Sequence, residues 1–259
     1  MKNYRTWGKS PYKVAVVHGG PGLPGAVAPI ARELSKDTGV IEILETKDSV
    51  EGQIEELAGV LKEHAEFPVI LVGHSWGAVL GYMTAARYPT LIKKLIIIGM
   101  PALEMKERPD YTPIWLSRLS EDEGVELITL QSLVLEGEEG DKSEAMRTLY
   151  RLIAKADSYA FNSEKDEVLE YQSGISNSVG TEFHEILKTT ELLDIGTKIK
   201  CPVVAIHGDY DLRLASVMAE PLSGIIKDFR LVMLEKCGHY PWMERHARDK
   251  FYEVLRKEL

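Results

Sequence analysis

Three side chains that can cooperate in nucleophilic catalysis each follow a short apolar run of the sequence. Ser75 lies in the motif GHSWG, Asp211 in HGDYD and His239 in CGHYP. A serine hydroxyl, an imidazole that can remove its proton and a carboxylate that can orient the imidazole are the groups used in acyl transfer through a covalent intermediate. The sequence therefore suggests that these three residues meet at one site, although they lie far apart in the chain.

The elements that would position these residues are those of a parallel sheet. Apolar runs predict strands over 14–17, 39–44, 69–72, 95–98, 203–206 and 231–234, and helical spacing predicts helices over 24–35, 49–64, 76–87 and 243–257. Strands that lack alternating polar positions and are separated by helices pair in parallel and are covered on both faces. We expect an open α/β fold, in which ligands bind beyond the carboxyl ends of the strands, where all three side chains arrive.

The glycines of GHSWG have a steric interpretation. A strand that turns directly into a helix strains the backbone at the corner, and side chains at Gly73 and Gly77 would collide with the neighbouring strand and helix. Their absence lets the hydroxyl of Ser75 project above the sheet at a helix N-terminus, where the helix dipole favours developing negative charge.

Other residues near the strand ends have simpler roles. Asp209 lies two residues before Asp211 and is expected to stabilise its loop, a common use of Asp in turns. We expect His18 and His207 to pack or to form hydrogen bonds, and His74 to point away from the site if Ser75 points into it. His64, His184 and His246 are expected at the surface.

The middle of the chain differs from its flanks. Residues 102–194 contain 21 Asp and Glu against 9 Lys and Arg, a charge of −12, whereas the remainder contains 19 against 22, or +3. No convincing strand is predicted there. We therefore expect a core formed by residues 1–101 and 195–259, with residues 102–194 inserted as an acidic helical cap. The acidic residues either attract cationic substrates or form a solvated face. Six cap residues either line an apolar pocket or pack the cap onto the core: Trp115, Leu116, Leu133, Val134, Leu135 and Tyr159.

Composition argues against several functions. The net charge of −9 disfavours nucleic-acid binding, and no apolar run is long enough to span a membrane. The two cysteines and seven histidines lack metal-ligand spacing, and the Gly-rich segment at 19–22 lacks the pattern of a nucleotide-binding loop. We therefore expect neither metal nor cofactor. The first residues lack the apolar stretch of a signal peptide, which favours a cytoplasmic location.

The order of GHSWG, HGDYD and CGHYP resembles the α/β-hydrolase fold family over nearly the whole chain. The resemblance implies that Ser75 is the nucleophile, that His239 is the general base and that Asp211 orients His239, since the second carboxylate matches the family's HGxxD pattern. It also implies an oxyanion hole formed by the backbone N–H groups of Gly20 and Trp76.

Together, HGGPG and GHSWG resemble the proline iminopeptidase branch, in which acidic cap residues bind the free amine of a peptide substrate. The segment ILETKDSVEGQIEEL lacks the D-x-R-G-x-G-x-S loop of many members of that branch. The first expectation is therefore a carboxylesterase-like serine hydrolase acting on a small molecule, and the alternative is an aminopeptidase acting on a short peptide. A non-catalytic small-molecule receptor on the same fold is the interpretation from a different class.

Overall fold

A single twisted sheet of seven strands organises the chain in this computed structural model, which describes residues 2–105, 109–136, 142–162 and 171–259. The strands lie in the order β1-β3-β2-β4-β5-β6-β7; β1 is antiparallel to β3, and every other neighbouring pair is parallel. Their bounds are β1 (Tyr4–Trp7), β2 (Tyr12–Val17), β3 (Gly39–Ile43), β4 (Val69–His74), β5 (Ile92–Ile98), β6 (Val203–Gly208) and β7 (Phe229–Leu234). The predicted mostly parallel sheet is confirmed.

Strand β1 was not among the strands predicted from the sequence. This edge strand contains Tyr4, Arg5, Thr6 and Trp7 and has no apolar run that would distinguish it from a loop. Its place is fixed by Glu42, a fully buried carboxylate of β3. The Glu42 carboxylate accepts hydrogen bonds from Arg5 Nε at 2.5 Å and from Trp7 Nε1 at 2.8 Å. A buried carboxylate requires such donors, so β1 is held by polar pairing as well as by backbone bonds.

Helices cover both faces of the sheet. On one face, α2 and α3 pack with Leu57, Leu61 and Val79 buried; on the other, α1 and α10 bury Ile30 and Phe251. The bounds are α1 (Ala28–Leu34), α2 (Val50–His64), α3 (Trp76–Arg87), α9 (Ala215–Ile225) and α10 (Arg248–Lys257).

Two helices begin later than predicted. The first was predicted from residue 24, but Gly25 has a φ of +95°, which a right-handed helix does not accommodate, and α1 begins at Ala28. The last was predicted from residue 243, but Pro241–Met243 forms a 3₁₀ turn and Glu244 is extended, so α10 begins at Arg248.

In the described ranges, five helices lie between β5 and β6, and this helical segment is called the insert below. They are α4 (Thr112–Arg118), α5 (Glu121–Glu136), α6 (Ser143–Ala156), α7 (Ser173–Ile186) and α8 (Glu191–Gly196). A small apolar cluster around Leu127 and Leu152 joins α5 and α6, whereas Phe183 of α7 and Leu192 of α8 belong to the main core beside α2 and α3. The domain boundaries at 102 and 194 stay a prediction, as does the cytoplasmic location. Within the described ranges, the chain contains no helix that is both long and apolar enough to cross a membrane.

Candidate active site

Ser75 lies at the corner where β4 ends and α3 begins. Its backbone has φ 51° and ψ −112°, a conformation that non-glycine residues rarely adopt because it is sterically strained. The Ser75 N–H donates to the carbonyl of Ile98 in β5 at 2.9 Å, which anchors the corner to the neighbouring strand. Ser75 itself remains partly exposed.

The two glycines of the motif make this corner possible. A Cβ at Gly73 would lie 2.2 Å from the carbonyl oxygen of Gly77, and a Cβ at Gly77 would lie 2.4 Å from the carbonyl oxygen of Val17 in β2. Both distances are far below van der Waals contact, so larger side chains would push α3 away from the sheet. The steric role predicted for the two glycines is confirmed.

His239 and Asp211 are brought together by a hydrogen bond. His239 Nδ1 donates to Asp211 Oδ2 at 2.7 Å, and both side chains are buried. The imidazole lies against Gly99, where a Cβ would be 2.8 Å from Nδ1. The His239 ring is also 4.7 Å, between centroids, from the ring of His74, the residue that precedes Ser75. The structure thus places all three predicted residues at the carboxyl edge of the sheet.

The carboxylate of Asp211 is surrounded by donors and positive charge. Its Oδ1 accepts the backbone N–H of Arg213 at 3.0 Å and Arg213 Nη1 at 3.2 Å, and its Oδ2 lies 3.5 Å from His207 Nε2. Burial alone would raise the pKa of Asp211, but the charges of His239 and Arg213 and the hydrogen bond from His239 hold that pKa well below its ordinary value. Asp211 therefore stays ionised at any pH at which the protein would work.

Asp209 has a different partner. Its Oδ1 accepts the backbone N–H of Cys237 at 3.2 Å, so it ties the loop after β6 to the loop that carries His239. The loop-stabilising role expected for Asp209 is confirmed, and Asp211 is the carboxylate in contact with the imidazole.

The oxyanion hole of Trp76 and Gly20 stays a prediction, and two features of the backbone near Ser75 bear on it. Trp76 is the first residue of α3, and the first N–H groups of a helix have no partner within that helix. Gly20 adopts a positive φ of 60°, and the loop that contains it approaches the serine closely, since a Cβ at Gly19 would lie 3.1 Å from Ser75 Cβ. The indole of Trp76 is held in the core by its Nε1–H, which donates to Gln53 Oε1 at 2.9 Å.

The other buried histidines are structural neighbours of the site. His18 forms an ion pair with the buried Glu45; burial alone would lower the pKa of His18, but Glu45 outweighs burial and raises it. His74 does not turn away from the site as expected, because its Nε2 donates to the carbonyl of His239 at 3.0 Å. Burial and the nearby His239 charge lower the pKa of His74 well below its ordinary value, so its imidazole is neutral.

Two carboxylates that were not predicted as site residues join the insert to this site. Asp157, at the end of α6, pairs with Arg213 at 2.9 Å. Glu244, just after the 3₁₀ turn, accepts the backbone N–H groups of Tyr159 and Gly238, each at 2.7 Å. Nothing in the local sequence distinguishes these two residues from the many exposed Asp and Glu side chains.

The residues proposed to line or pack the cap have different environments. Trp115 donates its indole N–H to Asp157 Oδ1 at 2.6 Å, and Val134 is buried in the small cluster of the insert. Leu116, Leu133 and Tyr159 are exposed, and the side chain of Leu135 lies outside the described part of the structure. In the described ranges, no group of three or more His, Cys, Asp or Glu side chains could hold a metal ion.

Comparison with protein-family models matches residues 48–245 to the family described as alpha/beta hydrolase fold. Among solved structures, the chain is similar to the Paleococcus ferrophilus monoacylglycerol lipase, at 15% identity and a TM-score of 0.65 over 98% of this chain and 96% of that one. The enol-lactonase from Burkholderia xenovorans LB400 has 18% identity and a TM-score of 0.63 over 98% and 94%. An E-2-(acetamidomethylene)succinate hydrolase has 18% identity and a TM-score of 0.64 over 98% and 93%.

At these identities the structural likeness concerns the fold. A sequence comparison with curated proteins finds no match. The more specific resemblance to proline iminopeptidases stays a prediction.

Proposed function

Because the chain belongs to the α/β-hydrolase fold family, we propose that it is a serine hydrolase that cleaves a small carboxylic ester, or a related acyl compound, through an acyl-enzyme intermediate. One observation carries the proposal: the strained Ser75 lies at the strand-to-helix corner, and the imidazole of His239, which packs against the ring of the preceding residue His74, is hydrogen-bonded to a buried, ionised carboxylate. A structural role alone gives no reason to combine these three groups at the edge of the sheet where ligands bind.

The proposed reaction follows from the positions of these groups. With Nδ1–H bonded to Asp211, the Nε2 atom of His239 would take the proton from Ser75 Oγ as the oxygen attacks the substrate carbonyl. The backbone N–H groups of Trp76 and Gly20 stabilise the resulting oxyanion. His239 then returns the proton to the leaving group, and a water molecule, activated in the same way, releases the acid and restores Ser75.

Asp211 would hold the imidazole in the correct tautomer and stabilise its positive charge while the proton resides there. The environment of Asp211 fits this role, because its low pKa keeps the carboxylate from removing the imidazole proton. Losing one oxyanion donor typically lowers the rate by about 10²–10³-fold, which gives the scale expected for the contribution of Trp76 or Gly20.

A fluorophosphonate probe tests the proposed nucleophile, since it forms a covalent bond with activated serines. We expect the wild-type protein to be labelled and Ser75→Ala to lose labelling completely while it remains folded. Ser223→Ala is a matched control, because Ser223 is an exposed serine of α9 whose hydroxyl donates to a backbone carbonyl. A folded wild type that is never labelled would refute the hydrolase proposal and favour a small-molecule receptor.

An aminopeptidase acting on short peptides is the second candidate, favoured by the charge of −12 on residues 102–194, which would attract a substrate with a free amine. Prolyl and other aminoacyl arylamides should be compared with short- and long-chain p-nitrophenyl esters. Turnover of esters alone would exclude the aminopeptidase, and preferential turnover of prolyl arylamide would displace the esterase proposal.

A further inference from the structure

A buried network of charges connects the insert to the carboxylate of Asp211. Arg213 Nη1 lies 2.9 Å from Asp157 Oδ2, which belongs to the insert, and 3.2 Å from Asp211 Oδ1, which belongs to the loop after β6. The side chains of both aspartates are fully buried, and that of Arg213 is 15% exposed. One guanidinium nitrogen therefore bridges a carboxylate of the insert and the carboxylate that binds His239.

The bridge leaves Asp211 in one orientation. Its Oδ1 is bound by both the backbone N–H and the guanidinium of Arg213, so its Oδ2 is the oxygen presented to His239. A carboxylate held only by the imidazole could rotate about its Cβ–Cγ bond, because terminal sp³–sp² torsions have broad minima. Donors on both oxygens remove that freedom.

Asp157 is held from several sides and also contacts the loop of His239. Its Oδ1 accepts the indole N–H of Trp115, and its backbone carbonyl accepts the N–H of His239 at 3.0 Å. The fit leaves no space for a side chain at residue 238, since a Cβ on Gly238 would lie 1.7 Å from the Asp157 carbonyl oxygen. Asp157 thus contacts the backbone of the proposed base His239 and, through Arg213, the carboxylate of Asp211 that orients it.

We infer that Arg213 is a positioning residue of the proposed triad, held in place by Asp157, so that docking of the insert and alignment of Asp211 depend on the same buried ion network. This inference rests on the proposed serine-hydrolase function. A substitution that removes one charged residue leaves another buried charge without its partner, and this alters the hydrogen bonds and positions of the remaining residues of the network.

The two charges of the bridge give predictions of opposite sign. Among the described residues, the titratable and charged groups around the imidazole of His239 are Asp211, His74, Tyr240 and His207, with Arg213 and Asp157 behind Asp211. Removing the positive charge of Arg213 favours protonation of the imidazole, so the acid limb of the pH–rate profile moves to higher pH. Removing the negative charge of Asp157 disfavours protonation, so the limb moves to lower pH. If the bridge between Asp157 and Arg213 affected only the stability of the fold, neither substitution would move the acid limb of the pH–rate profile.

The experiment measures the second-order rate constant of fluorophosphonate labelling between pH 5 and pH 9, a range that spans the ordinary histidine pKa of about 6.5. The variants are Arg213→Gln, Arg213→Lys and Asp157→Asn. At the plateau, we expect Arg213→Gln and Asp157→Asn to label about 10- to 100-fold more slowly, since misplacement of a reacting group by about 1 Å costs on the order of 10²-fold. Arg213→Lys keeps the charge and should recover the wild-type position of the acid limb together with part of the rate.

Arg118→Gln is the matched control. Arg118 is a second arginine between the insert and the core; it donates to the Ala156 carbonyl at 3.1 Å and lies 3.8 Å from the centre of the Tyr210 ring. We expect its labelling profile to match that of the wild type. If Arg213→Gln does not fold, as judged by circular dichroism, the opposite shift of Asp157→Asn and the rescue in Arg213→Lys carry the test.

Folded Arg213 and Asp157 variants that label at the wild-type rate with an unmoved acid limb would overturn the inference and leave the proposed function intact. A folded wild type that is not labelled would refute the proposed function, and the inference with it.

Discussion

Glu244 offers a direct test of how the insert is attached to the loop of His239. Its side chain is fully buried, and its carboxylate accepts three backbone N–H groups: Tyr159 at 2.7 Å, Ala160 at 2.8 Å and Gly238 at 2.7 Å. Two of these donors belong to the insert, and the third precedes His239. The substitution Glu244→Gln keeps the size of the side chain but removes its charge and replaces one acceptor oxygen with an NH₂ group.

The expected loss of stability follows from the three bonds. Oε1 accepts two of them and Oε2 the third, so the amide oxygen of Gln can serve at most the pair at Oε1. The third N–H then faces a donor, and the two surviving bonds lose their charge assistance. Hydrogen bonds to charged groups contribute about 1.5–3 kcal/mol and neutral ones about 0.5–1.5 kcal/mol. After allowing for the easier burial of a neutral amide, we expect Glu244→Gln to destabilise the protein by about 2–4 kcal/mol.

Urea unfolding followed by circular dichroism measures this loss, and fluorophosphonate labelling of the folded variant measures its effect on the site. Glu235→Gln is the control, because Glu235 is exposed in the same loop and should change stability by no more than about 0.5 kcal/mol. We expect Glu244→Gln to label more slowly than Glu235→Gln, since the loop that carries His239 loses one of its anchors. Equal unfolding free energies for the two variants would show that this carboxylate does not join the insert to the loop of His239.

Three further predictions concern buried groups. Gly99→Ala should slow labelling at least about tenfold, because the new Cβ would lie 2.8 Å from the imidazole of the proposed base and the backbone at this position has a φ of +55°. Gly59→Ala is the control, since Gly59 lies in open space on α2. It should leave labelling unchanged and stabilise the protein by about 0.5–1 kcal/mol. Burial and the neighbouring imidazole of His239 lower the pKa of His74. The contribution of His74 to stability is therefore fully present above the unfolded-state pKa of about 6.5 and is lost as the pH falls below that value. Urea midpoints of His74→Gln should depend less on pH between about 5 and 7 than those of the wild type. Burial raises the pKa of Cys201 to about 11 and also raises that of Cys237, so neither thiol should react with Ellman's reagent at pH 8 in the native protein, while both react in urea.

The sheet could be predicted because its signals are local. Six of its strands contain short apolar runs, and the turn after β4 contains glycines whose steric role can be inferred from five residues. The edge strand β1 could not, because what fixes it is the pairing of Arg5 and Trp7 with Glu42, more than thirty positions away. A single sequence contains no marker of such distant polar pairs.

The same distinction holds within the site. The motifs around Ser75, Asp211 and His239 can be recognised in the sequence by their spacing and by their positions after predicted strands. Asp157 and Arg213 cannot be recognised in this way, because they matter through the ion pair that they form across the boundary between the insert and the core. Predicting that contact would have required knowledge of where α6 ends relative to the loop after β6.

The acidity of the insert therefore combines charges with different physical consequences. Glu121, Asp122 and Glu126 are exposed on α5, whereas Asp157 is fully buried against Arg213. Added salt distinguishes the exposed charges from the buried pair. The Debye length falls from about 10 Å at 0.1 M salt to about 3 Å at 1 M, so exposed charges are screened strongly, whereas buried pairs are screened much less. If the exposed charges attract a cationic aminoacyl substrate, its KM should rise with salt, while labelling by an uncharged fluorophosphonate, which depends on the buried network, should stay constant. A parallel decline of both would mean that salt loosens the insert itself, and the acidic surface would then have no separate role in attracting substrate.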